Sequence, residues 1–253
     1  MKLRSGLLSL ATAALACATL AQAPADREPV RRPDGGVGGR MESIFVPPKA
    51  RAPFSLTLAT EWTRPMAGGG SFTLVNERHI VRDSKGRIYQ ERWILVPKGG
   101  TEKSWMDVFQ ITDPKQHTWL NCITATKVCD LYTYRLTTQE KYEPAIGETR
   151  TLPDGRGFRQ HEDLGEGSTE GVETHGYRET VTINPGVMGN DAPMISTREF
   201  WWSPRLAINL LSIVETPNAG KQVFTVKELS TSEPDPAFFN VPEGYSVADR
   251  RQE

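Results

Sequence analysis

A chain of 253 residues with 38% hydrophobic and 24% charged residues has an ordinary globular composition, which excludes collagen-like, low-complexity and wholly disordered classes. Its formal charge of −1 supplies no field that would draw it to nucleic acid or to an anionic membrane surface.

The N-terminus reads as a secretory signal over residues 1–21. Lys2 and Arg4 form the charged end, and GLLSLATAALACATLA, Gly6 to Ala21, forms the apolar stretch. That stretch falls short of a typical spanning helix. No other long apolar run follows, so the mature chain is expected to have no transmembrane helix. Ala21-Gln22-Ala23 has the form of a cleavage box, but cutting there would leave Pro24 first. Cutting after Ala21 avoids the proline, and lipidation of Cys17 is a third alternative. The expected location is therefore outside the cytoplasm: periplasmic, outer-membrane associated or secreted.

The chain has three cysteines. Cys17 is either removed with the leader or acylated. Cys122 and Cys129 then remain as an even pair around ITATKV, a turn between two strands, and an exported protein is where such a pair stays oxidised. A Cys122–Cys129 disulfide is expected.

Residues 22–53 are rich in Pro, Gly and Arg and lack periodicity, apart from Ile44-Phe45-Val46; they read as a flexible linker. A single β domain is expected over 54–247, with a short tail at 248–253. Phe54, Leu56 and Leu58 alternate with polar or small residues, the period-2 signature of a half-buried strand. Phe72 to Arg82 and Arg87 to Val96 form two strands across Asp83-Ser84-Lys85-Gly86. In the second, Tyr89, Trp93 and Leu95 share a face. Trp105 to Thr112, His117 to Thr124 and Lys127 to Arg135 continue the meander, the last two across Ala125-Thr126. A turn lies within Thr149 to Phe158, short strands are expected at Ser168 to Val172 and Thr174 to Ile183, and Pro236 to Phe239 reads as a helical turn. The densest apolar run is TREFWWSPRLAINLLSIVE, Thr197 to Glu215, followed by the strand Lys221 to Ser230. Turn signals every roughly 8–12 residues and the lack of long helices define an all-β class.

EFWWSPRLAINLLSIVE, KQVFTVKELS and EPDPAFFNVPEGYSV resemble the C-terminal end of the periplasmic lipoprotein-carrier superfamily and its secreted relatives. GEGSTEGVETHGYRETVTI resembles the strands before that end, with the pattern L-G-x-x-x-x-x-G-V-x-x-x-G from Leu164. The resemblance covers Leu164 to Val247, the C-terminal third. It implies a strongly curved antiparallel meander sheet, a half-barrel or incomplete barrel, whose concave face binds acyl chains or an apolar peptide. No ligand-contact residue of that family is matched here.

Catalytic motifs are sparse. His161-Glu162-Asp163 with His175 is the best acid–base or metal-binding set by composition, but no fixed spacing makes it converge, and solvated polar loops are the expectation. No G-x-S-x-G elbow surrounds Ser196, Ser203 or Ser212, and Gly68-Gly69-Gly70 lacks the Lys-Ser/Thr and helix of a phosphate cradle. Adjacent strand residues face opposite sides, so one of Trp201 and Trp202 is core and the other lies on the second face. Strands apolar on both faces predict an apolar pocket of roughly 300–1,000 Å³ bordered by one of these tryptophans, with Phe200, Ile208 and Leu210 as further contacts. The reading is a non-enzymatic exported envelope protein, with no cofactor, whose partner is a lipid or other apolar ligand. The alternatives are a structural or protein-interaction module with a filled core, and a hydrolase with an unrecognised site, which convergence of His161, His175 and carboxylates in a cleft would favour.

Overall fold

The computed structural model describes residues 44–134 and 148–251. The expected leader, Cys17 and residues 22–43 of the expected linker lie outside the described residues. The described chain forms fourteen strands: β1 (Phe54–Pro65), β2 (Ser71–Arg82), β3 (Ile88–Trp93), β4 (Val96–Pro97), β5 (Met106–Asp113), β6 (Thr118–Ile123), β7 (Val128–Thr133), β8 (Arg150–Thr151), β9 (Gly157–Thr169), β10 (Val172–Ile183), β11 (Met194–Ser203), β12 (Ile208–Thr216), β13 (Gly220–Ser230) and β14 (Ser246–Asp249). Two short 3-10 turns, Pro153–Gly155 and Pro236–Phe239, are the helical elements among the described residues. None of the described helices is long and apolar enough to cross a membrane.

All the strands belong to one open sheet, in the order β14-β7-β6-β5-β3-β2-β1-β13-β12-β11-β10-β9-β8, with β4 alongside β2. The expected antiparallel meander sheet is present, and it is built in two stretches. One runs from β1 to β7 and the other from β8 to β13, and they join at the centre of the sheet where β1 pairs with β13. At one edge β14 pairs parallel to β7, the one parallel pair among the described strands. Bulges interrupt the ladders at Ser55/Thr57, Arg92/Trp93, Gly176/Tyr177 and Trp201/Trp202. Each one bends its strand and increases the local twist, so the sheet curves without closing.

The expected strand at Ser168 to Val172 is instead the tip of a long hairpin. Glu170 and Gly171 both have positive φ, the backbone of a two-residue turn between paired Thr169 and Val172. Two short strands were expected because glycines punctuate Gly165 to Gly176. In the sheet, Gly167 and Gly176 are needed for another reason: a Cβ at either would run into the ring of Trp201.

Hydrophobic cores form on both sheet faces. Ile80 and Val81 are both fully buried neighbours on β2, which point to opposite sides. With Ile80 pack Phe54, Leu56 and Leu58 of β1, Ile208 and Leu210 of β12, and Phe224 and Val226 of β13. With Val81 pack Phe109, Ile111 and the Cys122–Cys129 pair, covered by Phe239, Val241 and Tyr245 from the segment before β14. The disulfide is present as expected: the two cysteines face each other across β6 and β7, with Cα atoms 3.9 Å apart.

The linker expected over 22–53 extends too far. Ile44, Val46 and Ala52 are buried, and the first two join the core on the Ile80 face. Arg82, with no exposed surface, holds this segment down. Its guanidinium donates to the carbonyls of Pro47, Ala52 and Leu206 at 2.6–2.9 Å and lies over the ring of Phe54. Lys49 adds bonds to the carbonyls of Pro204 and Arg205. Ile44 and Val46 are the apolar anchor that the composition of the surrounding segment concealed, while Phe45 between them is exposed.

Candidate functional site

β2 pairs with β3 only over Ile80 to Arg82, and with β4 at Leu74 and Val75. Between these points the chain from Glu91 to Leu95 leaves β2, and the ladder is replaced by side chains. The Asn76 amide donates to the Trp93 carbonyl at 2.6 Å, and Arg78 donates to the Glu91 carbonyl at 3.4 Å. The Glu91 carboxylate takes the backbone N–H of His79 at 3.0 Å, a bond that a partner strand would otherwise supply. It also accepts from the Trp93 indole at 2.8 Å and the Tyr89 hydroxyl at 3.0 Å. A buried carboxylate with three donors is satisfied, so it stands in for missing ladder bonds. Burial, with the Glu91 charge beside it, pushes the Tyr89 phenol well above its ordinary range.

Beside this gap lies a groove of about 940 Å³ across β13, β1 and β2, walled by residues from Glu91 to Ser104. Ala59, Val75, Val96, Val223 and the Trp93 ring supply its apolar surface. A polar row crosses the groove from strand to strand. Thr57 sits opposite both Lys227 and His79 in the ladders. Its hydroxyl donates to Glu228 at 2.9 Å, while the His79 imidazole lies 3.6 Å from the Glu91 carboxylate. Glu228 is the extra residue of the β13 bulge and has a φ of 51°, a left-handed conformation that a glutamate adopts only where its surroundings require it. At the rim, Lys98 pairs with Glu61 and Lys227 with Glu77, each at 2.8 Å. Those exposed pairs fix charge more than they add stability.

The residues expected at the pocket lie elsewhere. Ile208 and Leu210 are fully buried in the core of the Ile80 face and do not line this groove. Trp201 is half-buried, lying over Gly167 and Gly176 with its indole donating to Glu199 at 3.0 Å. Phe200 packs at a tilt against Tyr177, and Tyr177 stacks on His175, with Trp202 half-buried nearby on β11 opposite His175. The groove is of the expected size but is bordered by Trp93 rather than by Trp201 or Trp202. The sequence carried a signal for it: Glu91 lies between Tyr89 and Trp93 on one strand face, where a carboxylate among aromatics must find donors.

The histidines also separate. His175 binds Asp163 at 2.5 Å through Nε2 and Glu166 at 3.0 Å through Nδ1. Hydrogen bonds that the imidazole donates to Asp163, then to Glu166, raise the His175 pKa. The backbone N–H of Gly165, then His175, lower that of Asp163. With its two ring nitrogens turned to opposite partners, His175 cannot aim both carboxylates at a common ion. His161 is apart, 3.5 Å from Glu179. Among the described residues no His, Cys, Asp and Glu cluster has the geometry of a metal site.

An open, curved, mostly antiparallel sheet with a single-sided groove is thus the architecture and the site together. No family model matches the sequence, and no curated protein does. Among solved structures, the chain is similar to an uncharacterized conserved protein from Thermus thermophilus, at 11% identity and a TM-score of 0.39, over 79% of this chain and 91% of that one. It is also similar to the MucA/MucB complex structure of Pseudomonas aeruginosa, at 14% identity and a TM-score of 0.35, over 75% of this chain and 56% of that one. A LolA superfamily protein from Nitrosomonas europaea matches at 10% identity and a TM-score of 0.22, over 75% and 90%.

Proposed function

We propose that this protein is a non-enzymatic exported protein of the cell envelope that binds a lipid-like ligand in the groove of its curved sheet. The observation that carries the reading is the groove itself: about 940 Å³, open on one face, with an apolar floor edged by charge. That volume lies within the roughly 300–1,000 Å³ of small-ligand sites. A mixed lining suits an amphiphile, whose chain takes the apolar floor and whose head stays near the polar row. Export is supported by the signal-like N-terminus and by the cysteine pair joined as a disulfide. The structural-module alternative requires a sheet without a ligand-sized concavity.

The test is native mass spectrometry of protein purified from the periplasm, together with a fluorescence titration using monolaurin, a neutral amphiphile. Trp93 borders the groove, so a saturable change in tryptophan emission that Trp93→Phe abolishes is the expected result. A change that persists in Trp93→Phe and disappears in Trp202→Phe would move the site to the other face. No co-purifying amphiphile and no saturable change would overturn the reading.

A further inference from the structure

The hydrogen-bond capacity left over in the groove is unequal. Its two lysines are committed, Lys98 to Glu61 and Lys227 to Glu77. Arg78 is engaged with the Glu91 carbonyl and elsewhere. The acceptors are less fully used. Glu228 receives one hydroxyl, from Thr57, on one of its two oxygens. The side-chain oxygen of Asn76, a residue more than nine-tenths buried at the edge of the groove, has no hydrogen-bond partner among the described residues. A buried acceptor without a donor costs free energy until something donates to it. Glutamates in the lining outnumber its lysines and arginine by four to three. The Trp93 ring borders the same space and offers a π-face to a cation.

We propose that the groove selects an amphiphile with an ammonium head group, and that Glu228 is the anchoring carboxylate. This deepens the lipid-binding reading above and rests on it. The ammonium supplies donors where the site has spare acceptors and balances the surplus of carboxylates, while the apolar chain lies along Ala59, Val75 and Val223. An anionic head such as a free carboxylate would meet Glu228 and Glu91 with no uncommitted cation to receive it. The bulge fits this role: an extra residue in β13 gives Glu228 its left-handed backbone beside Thr57 and the groove, the kind of re-aiming for which bulges are found at binding sites.

The test compares three twelve-carbon amphiphiles on the full chain, each below its critical micelle concentration: dodecylammonium, laurate and neutral monolaurin. Binding is read by calorimetry. Dodecylammonium is expected to bind at least about ten-fold more tightly than laurate, one charge-assisted contact being worth that much. Glu228→Gln, at an exposed position, should remove most of that preference, read as the ratio of dodecylammonium to laurate affinity within each protein. Monolaurin binding with laurate equal to or tighter than dodecylammonium overturns the head-group inference alone. So does a preference that survives in Glu228→Gln. Failure of all three to bind overturns the lipid-binding reading and this inference with it.

Discussion

Arg82→Met is the sharpest test of how the described residues before β1 are held. The parent guanidinium is fully buried and serves three backbone carbonyls, of Pro47, Ala52 and Leu206. Methionine preserves much of the volume and donates nothing. Each buried carbonyl left without a donor costs ~1–3 kcal/mol. Part of this is offset, because the variant no longer desolvates a charge. A net loss of about 3–5 kcal/mol follows, from three such carbonyls less the relieved desolvation. Urea unfolding should show a lower midpoint with an unchanged m-value. Trypsin should then cut at Lys49 and Arg51, which the parent segment protects by its bonds to the turn before β12. Arg82→Lys keeps the charge but cannot span three carbonyls from one nitrogen, so it should fall between the two. A loss below about 1 kcal/mol for Arg82→Met, with no faster cleavage, would refute the claim that this arginine fastens the segment.

Four further outcomes follow from the same geometry. Limited proteolysis of the parent should leave a resistant core that still contains residues 44–53; a core starting at Phe54 would show that the burial of Ile44 and Val46 contributes little. Replacing Cys122 and Cys129 together with alanine should cost about 2–3 kcal/mol in chemical denaturation, the chain-entropy value for so short a loop; an unchanged midpoint would contradict it. Gly176→Ala sets a Cβ 2.9 Å from three ring atoms of Trp201 and should lower stability by about 1–3 kcal/mol, with a shift in tryptophan emission that Trp201→Phe removes. The pKa of His175 is raised in the folded state, so its contribution is fully present below the unfolded value near 6.5 and is lost as pH rises through the higher folded value. The difference in melting temperature between the parent and His175→Gln should therefore shrink across that window; a difference that grows with pH would reverse the assignment, and NMR titration of the imidazole checks it directly.

The alternation of Phe54, Leu56 and Leu58, the turn residues and the cysteine pair were enough to read an all-β chain, most of its strands and its disulfide. These are local signals, since side-chain period, turn dihedrals and a short cross-strand loop depend on near neighbours in the chain. The dense run around Trp201 and Trp202 was legible as core, and its residues do not line the groove beside β2. Its apolar residues Ile208 and Leu210 are consumed by the hydrophobic interior, and its two tryptophans lie away from the groove. What assembles the groove is non-local. The β1–β13 seam brings Thr57 beside Lys227 and Glu228, residues about 170 positions away, and β2 adds His79 to the row. The departure of β3 from β2, which turns Glu91 into a substitute for ladder bonds, follows from competition among backbone pairing, Tyr89 and Trp93. Strand content was fixed by near neighbours in the chain. Which faces were buried, which residues met across the seam and where the sheet left an opening were decided only when distant strands paired, because burial and hydrogen-bond satisfaction are properties of the whole sheet.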